Sequence, residues 1–248
     1  MQRYFLIEMP NESRFELDEE TKHHLMNVLR GQVGTKAEFV TPEQTLLIAE
    51  VAEINAEQVW MKVIEEQTVA VELPVAATLV LGLAKGDKPE LVVQKATELG
   101  ATAFIFVETE FSVAHWGSKA ERKLERLRKI ARGAAEQSHR LKIPSIEYAE
   151  RLNELQLPDE SVKVVAWEES AKADERANLV TALTDAQNVR EIVFLIGPEG
   201  GLSKNELQYL TEELGFMAAG FGPRILRAET APLYAMSVLS YVTELDQR

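Results

Sequence analysis

The spacing of apolar residues changes near residue 74, and that change most narrows the folds open to this chain. Before it come short β-rich or alternating runs: "RYFLI" (3–7), "KAEFVT" (36–41), "QTLLIAEVAEI" (44–54) and "QVWMKVIEEQTV" (58–69). Period-2 alternation with β-branched and aromatic residues predicts strands. A single helical stretch, "DEETKHHLMNVLR" (18–30), interrupts them, with Asp18 placed to cap its start and Gly31 to close its end. From "ATLVLGLA" (77–84) onward, strand-like and helix-like runs alternate, the signature of α/β units around a parallel sheet. Strands are predicted at 77–84, 103–108, 163–167, 191–196 and 216–220, and helices near 88–99, 118–140, 174–184, 203–214 and 230–244. "VELP" (71–74) is the join, so the expected division is a small β domain, 1–72, and an α/β domain, 73–248.

Composition excludes several chemistries. The 248 residues contain no cysteine, which removes disulfides, thiolate metal sites and cysteine nucleophiles, and the four His are scattered rather than set at ligand spacing. No metal is expected. The opening "MQRYFLIEMPNESRFEL" breaks its apolar run at Glu8, Pro10 and Glu12, which fits neither a signal peptide nor a membrane span, so the expectation is a cytoplasmic protein.

A net charge of −13 argues against general nucleic-acid binding, but the average hides an asymmetry. Residues 112–144 carry nine Lys or Arg against three Glu, a local charge of +6 that leaves −19 on the rest. On a helix, Leu124, Leu127, Ala131, Ala134 and Ser138 form one stripe, with Arg122, Arg126 and Lys129 projecting from the opposite side. Either that face is merely solvated or it contacts phosphate.

Two glycine-rich turns carry the remaining signal. "IGPEGGLSKNE" (196–206) follows a predicted strand, and its Ser203 and Glu206 form an S-x-x-E capping box that fixes the next helix start. "GDKPELVVQKATELG" (86–100) offers the same device with Asp87 as cap and Glu90 as its partner. Both turns would lie at the carboxyl edge of the sheet, where α/β proteins place ligands. The first matches neither the Walker spacing nor G-x-G-x-x-G. Its Glu199, with no lysine in the loop to compensate, predicts exclusion of an anion and glycines that let backbone approach a neutral or cationic ligand. Glu199 could also serve only the dipole of the following helix. In "GFGPRILRAETAP" (220–232), Arg224 and Arg227 flank Ile225 and Leu226, a set able to hold an aromatic ring and an anion, or simply an ordinary loop before a capped helix.

Together these motifs resemble the paired signature of the SPOUT methyltransferases. "HHLMNVLR", "KGDKPELVVQKATELG" and "AAEQSHRLKIP" extend the resemblance nearly end to end, to the ribosomal RNA small subunit methyltransferase E family, which methylates uridine N3 in 16S rRNA. The resemblance implies a PUA-like β-barrel followed by a SPOUT-type parallel sheet with a C-terminal trefoil knot. It also implies a homodimer, S-adenosyl-L-methionine as cofactor, and 16S rRNA within the small ribosomal subunit as partner. Carried over, the cofactor site comprises Trp167, Glu168, Ile196, Gly197, Pro198, Glu199, Gly200, Phe221, Gly222, Ile225, Leu226 and Arg227. Because N3 of uracil carries a proton, a base or an anion-stabilising cation is needed. Arg227 is the candidate cation, with Glu199 and Glu229 the candidate acceptors. Arg30, Arg122, Arg126, Lys129, Arg140 and Lys142 are the candidate phosphate contacts. Two departures from the family pattern stand out: Phe111, where an arginine is usual, allows stacking in place of a phosphate contact, and Ala228 replaces a common threonine. A non-catalytic RNA-binding or ribosome-associated module with the same fold, and a nucleotide-dependent enzyme, are the alternatives; the failed Walker and dinucleotide spacings count against the latter.

Overall fold

A computed structural model of the chain describes residues 1–10, 13–55, 57–169, 177–186 and 190–246. It divides into two compact units, one of residues 1–72 with 135–142, the other of 73–134 with 143–248. The continuous 1–72 and 73–248 division therefore misses a return: the segment 135–142 packs with the first unit. Ala135 and Leu141 are buried there against Phe5, Val40 and Leu46. Arg3 reinforces the return by donating to the carbonyl of His139 and, through Nε at 2.8 Å, to Glu38.

The first unit is one mixed sheet of five strands, β1 (Arg3–Phe5), β2 (Arg14–Glu16), β3 (Lys36–Val40), β4 (Leu46–Ile54) and β5 (Val59–Gln67), in the order β1-β3-β4-β5-β2. The β1–β3 pair is parallel and the others antiparallel. The sequence reading passes over β2, which has only three residues and one buried side chain, Phe15. Helix α1 (Glu19–Lys22) begins as expected, Asp18 accepting from the backbone of Thr21, and runs into a π-helical turn, His23–Val28, in which the Leu29 amide reaches back to the His24 carbonyl. Gly31 does not supply the left-handed residue that ends it. Arg30 does, at φ 57°, while Gly31 is required because a Cβ would lie 2.9 Å from the Leu25 carbonyl oxygen.

The second unit is a wholly parallel sheet of six strands: β6 (Ala76–Gly82), β7 (Ala103–Val107), β8 (Ser145–Ala149), β9 (Val162–Ala166), β10 (Glu191–Ile196) and β11 (Met217–Ala219), ordered β11-β9-β10-β6-β7-β8. Its helices are α2 (Lys88–Glu98), α3 (Ala120–Gln137), α4 (Ala177–Ala186), α5 (Lys204–Glu212) and α6 (Thr230–Ser240). Five of the strands match the expected positions within two residues at each end. The sixth, β8, is an edge strand whose "SIEYA" buries only Ile146 and Ala149 and so carries no apolar run. Residues 174–176 of the expected 174–184 helix lie outside the described residues. The central strands are apolar on both faces, as a sheet covered by helices on each side requires: Leu79, Phe104 and Phe194 enter one core cluster, Val80, Val193 and Leu195 the other. On α3, Leu124, Leu127, Ala131 and Ala134 are buried and Arg122, Arg126 and Lys129 exposed, the stripe the spacing predicts.

Candidate active site

The carboxyl ends of β9, β10 and β11 open into one cavity of about 710 Å³. Register places them together: Ala166 pairs with Ala219, and Ile196 with Leu81. Just past these ends the chain turns outward, and each turn becomes a wall. Trp167 and Glu168 follow β9, residues 197–204 follow Ile196 at the end of β10, and Phe221 with residues 223–228 follow β11.

Glycine shapes the β10 turn through its own packing. A Cβ on Gly82, at the end of β6, would come 2.4 Å from Pro198 Cδ. One on Gly200 would come 2.8 Å from Phe111 Cβ, and one on Gly197 3.1 Å from Leu202 Cγ. Gly201 takes φ +74°. Protein atoms occupy the space a Cβ would take at Gly197 and Gly200, so packing by itself calls for glycine there, whereas a Cβ on Gly201 would meet no described atom within 4 Å. Beyond them the capping box forms as predicted. Ser203 Oγ accepts from the Glu206 amide at 3.3 Å, and the Ser203 amide donates to Glu206 Oε2 at 2.8 Å. Glu206 Oε1 also accepts from the Glu110 amide at 2.7 Å, tying the Phe111 segment to the start of α5.

The predicted box at the start of α2 does not form. Asp87 makes no side-chain cap, and Glu90 accepts instead from Arg126 at 2.7 Å. What α2 contributes is Lys88. Its Nζ lies 2.7 Å from Glu199 Oε1 and 3.2 Å from Glu229 Oε2. The second contact is an ion pair without hydrogen-bond alignment, and Glu229 Oε2 is otherwise buried and unpartnered. Glu199 Oε1 also accepts from the Lys85 amide at 3.3 Å. Neither carboxylate serves its own helix: Glu229 occupies the N-cap position of α6 but makes no cap hydrogen bond.

These contacts set the protonation states. Burial pushes the Glu199 carboxyl up, but the Lys88 hydrogen bond and backbone amides outweigh it and hold the group below the usual carboxylate range. The Glu229 carboxyl is held low by its own backbone amide first, then by Lys88 and the nearby Arg227, against an opposing effect of burial. The hydrogen bond to Glu199 raises Lys88 in turn.

Most of the expected cofactor residues meet on this wall: Trp167, Glu168, Ile196, Gly197, Pro198, Glu199, Gly200, Phe221, Ile225, Leu226 and Arg227. Gly222 is not among them; its φ of +91° makes the turn that presents its neighbours. Glu229 lies behind the wall, lining a small space with Lys88, Gly197 and Ile196. Arg227 is exposed, with no side-chain hydrogen bond or ion pair to another described residue, while its carbonyl accepts from Thr230 and Ala231 and so starts α6. Phe111 also lines the cavity and is 42% exposed. Ala228 lines it too, presenting a methyl where a hydroxyl is usual.

The charge argument drawn from the loop alone does not hold for the assembled wall. Lys88, Lys204, Arg224 and Arg227 stand there beside Glu168, Glu169 and Glu199, so charge does not exclude an anion. Sequence reasoning passed over Lys88 because its partner is 111 residues away. The one available signal was a lysine as first residue of a helix, where the dipole disfavours a cation.

The expected phosphate contacts separate. Arg122 and Lys129 are exposed along a shallow groove on α3, and Arg126 shares that groove but pairs with Glu90. Arg30 and Lys142 are exposed on the first unit. Arg140 is buried, its Nε 3.1 Å from Glu72 Oε2, which corrects its reading as a surface contact. Among the described residues no group of three or more acidic or His side chains could hold a metal, and no helix is long and apolar enough to cross a membrane.

Comparison with known proteins identifies the family. Residues 71–240 match the family model described as an RNA methyltransferase domain. Ribosomal RNA small subunit methyltransferase E of Bacillus subtilis is 39% identical over 99% of this chain and 98% of its own length. The protein of that name from Synechocystis is 32% identical over 90% of this chain and 71% of its own. A crystal structure of ribosomal RNA small subunit methyltransferase E from Neisseria gonorrhoeae bound to S-adenosyl methionine superposes with a TM-score of 0.83, at 28% identity, covering 98% of each chain. With its parallel sheet, its carboxyl-edge cavity and full-length relatives of one name, the chain belongs to the ribosomal RNA small subunit methyltransferase E family of RNA methyltransferases.

Proposed function

We propose that this chain methylates N3 of a uridine in the 16S rRNA of the small ribosomal subunit, using S-adenosylmethionine. The observation that carries the reading is the cavity at the ends of β9, β10 and β11, in a chain whose fold matches a relative described as bound to that cofactor. Its volume of about 710 Å³ falls within the range of nucleoside-sized clefts. Apolar side chains of Ile196, Leu202, Phe221, Ile225 and Leu226 suit an adenine ring, and the mixed charges suit a ligand bearing both signs.

When bound, the cofactor supplies a methyl group activated by a sulfonium. The residues of this chain then have two tasks. One is to hold uridine N3 in line with the transferring methyl, a task for the walls and Phe111. The other is to ease the loss of the N3 proton. Arg227, exposed on the wall with its guanidinium in no hydrogen bond or ion pair among the described residues, is suited to stabilise the developing uracil anion. Glu199 and Glu229, both held by Lys88, are weak proton acceptors. The reading therefore places Arg227 first and sends the proton to solvent.

The same reading takes the five-stranded unit as the PUA-like barrel and the last segments of the chain as a trefoil knot. The position of β11 beside β9, followed by α6 packed on α2 and β10, supports that threading. Arg122, Lys129, Arg30 and Lys142 are the proposed phosphate contacts, and a homodimer is the proposed assembly. The test is labelled-methyl transfer to small subunits from a strain lacking this enzyme, with mapping of the modified atom. Transfer to N3 of one uridine is expected. RNA binding without transfer would make the chain a non-catalytic module.

A further inference from the structure

We propose that Lys88 is a positioning residue: its ammonium bridges Glu199 and Glu229 and so locks together the two loops that wall the cofactor cavity. The inference rests on the proposed function for what the cavity holds, but the bridge itself stands on geometry.

Three observations carry it. First, Glu199 belongs to the turn after β10 and Glu229 to the segment after β11, and one nitrogen lies within 3.2 Å of a carboxylate oxygen from each. No other described ion pair joins these two loops. Second, the placement is costly unless it does something. A cation on the first residue of α2 opposes the helix dipole. Glu229 Oε2 is buried and makes no hydrogen bond to a described residue, so the Lys88 ammonium 3.2 Å away is its ion-pair partner, and losing the lysine would leave that oxygen with much weaker compensation. Third, Lys88 lines both the large cavity and the small space behind it, as the strut between them must.

The remaining charged group near the bridge is Arg227, felt by Glu229; Lys85 contributes a backbone amide to Glu199. Removing the ammonium would leave two carboxylates sharing one site, offset by the Arg227 guanidinium and by the backbone amides of Lys85, Glu199 and Glu229. Like charges held this close raise one another's pKa, so at least one carboxyl is expected to take up its proton at a higher pH than in wild type. A lysine that merely filled space would produce no such titration.

The experiment is calorimetric titration of S-adenosylmethionine into wild type, Lys88→Met and Lys88→Arg from about pH 5 to about pH 8.5. The wild type is expected to bind with affinity flat in pH. Lys88→Met is expected to bind about tenfold more weakly at neutral pH, with an affinity that now changes across the range. Lys88→Arg, which keeps the charge and can reach two carboxylates, is expected to restore a flat profile. A flat profile in Lys88→Met overturns the proposal, whatever its affinity. In parallel, carboxyl-carbon NMR follows the Glu199 and Glu229 titrations, assigned with Glu199→Gln and Glu229→Gln. If the wild type binds no cofactor, the proposed function fails, and the NMR arm alone decides the bridge: at least one carboxyl must titrate at a clearly higher pH in Lys88→Met than in wild type, and unchanged titrations overturn the proposal.

Discussion

Arg140 lies buried against Glu72, its Nε 3.1 Å from Oε2, while Glu72 Oε1 accepts from the backbone of Leu141 at 2.8 Å. The pair secures the 135–142 segment within the first unit. Arg140→Met leaves a buried carboxylate without its cation and is expected to lower stability by about 3–5 kcal/mol, read from the midpoint of denaturant unfolding. The salt dependence of RNA binding by the folded protein should stay as in wild type, because no phosphate contact is lost. A shallower salt slope with unchanged stability would return Arg140 to the RNA surface.

Gly82→Ala probes the support beneath the cavity. The added methyl meets the backbone nitrogen and Cδ of Pro198 at 2.6 and 2.4 Å, and a proline ring cannot swing aside. Overpacking of this kind costs about 1–3 kcal/mol. The displaced turn carries Glu199, so weaker cofactor binding is expected along with a lower melting temperature. Calorimetry on the folded variant reads the first; a variant that melts early yet binds as wild type would show that the turn adjusts independently.

Glu108 should make stability depend on acid. Burial pushes its carboxyl up, but hydrogen bonds from His115 at 2.8 Å, Tyr148 at 2.6 Å and the Trp116 amide at 3.0 Å outweigh it and hold it below the usual carboxylate range. A carboxyl whose folded pKa is depressed contributes stability above its unfolded value, and that contribution is lost as pH falls through the folded one. Glu108→Gln should therefore melt earlier than wild type at neutral pH, with the gap closing below the ordinary carboxylate range. Burial and the same carboxylate push Tyr148 up to about 12. Spectroscopic titration should show this phenol ionising later than exposed ones, with its share of stability lost as pH rises towards that value.

Arg227→Ala separates transfer from binding. The guanidinium makes no hydrogen bond or ion pair among the described residues and stands on the cavity wall, so its loss should leave the fold intact and lower the single-turnover rate at saturating RNA about 100-fold or more. RNA affinity should change little. A lower affinity with the saturated rate preserved would make Arg227 an RNA contact.

Features set by neighbours in the chain were open to reading. The strands β6, β7 and β10 announce themselves because a two-faced buried strand is a continuous apolar run, β9 and the edge strand β11 show as shorter apolar runs, and Ser203 with Glu206 announces a helix start because a capping box spans four residues. The edge strand β8 and the three-residue β2 bury too little to leave that mark. Asp87 and Glu90 show the limit of the local rule: the same spacing as Ser203 and Glu206 forms no box, because Arg126, 36 residues on, takes Glu90 instead.

The sequence by itself determined the two fold classes along the chain, the loops that wall the site, and the face α3 turns outward, since periodicity and short motifs act over a few residues. Only the tertiary structure decided where charges meet. Lys88 reaches Glu199 and Glu229, Arg140 sinks against Glu72, and Gly197 and Gly200 pack where a Cβ would meet protein atoms. The physical reason is common to all three: an ion pair or a close contact depends on distance in space, which residue spacing leaves undefined beyond the next turn of chain.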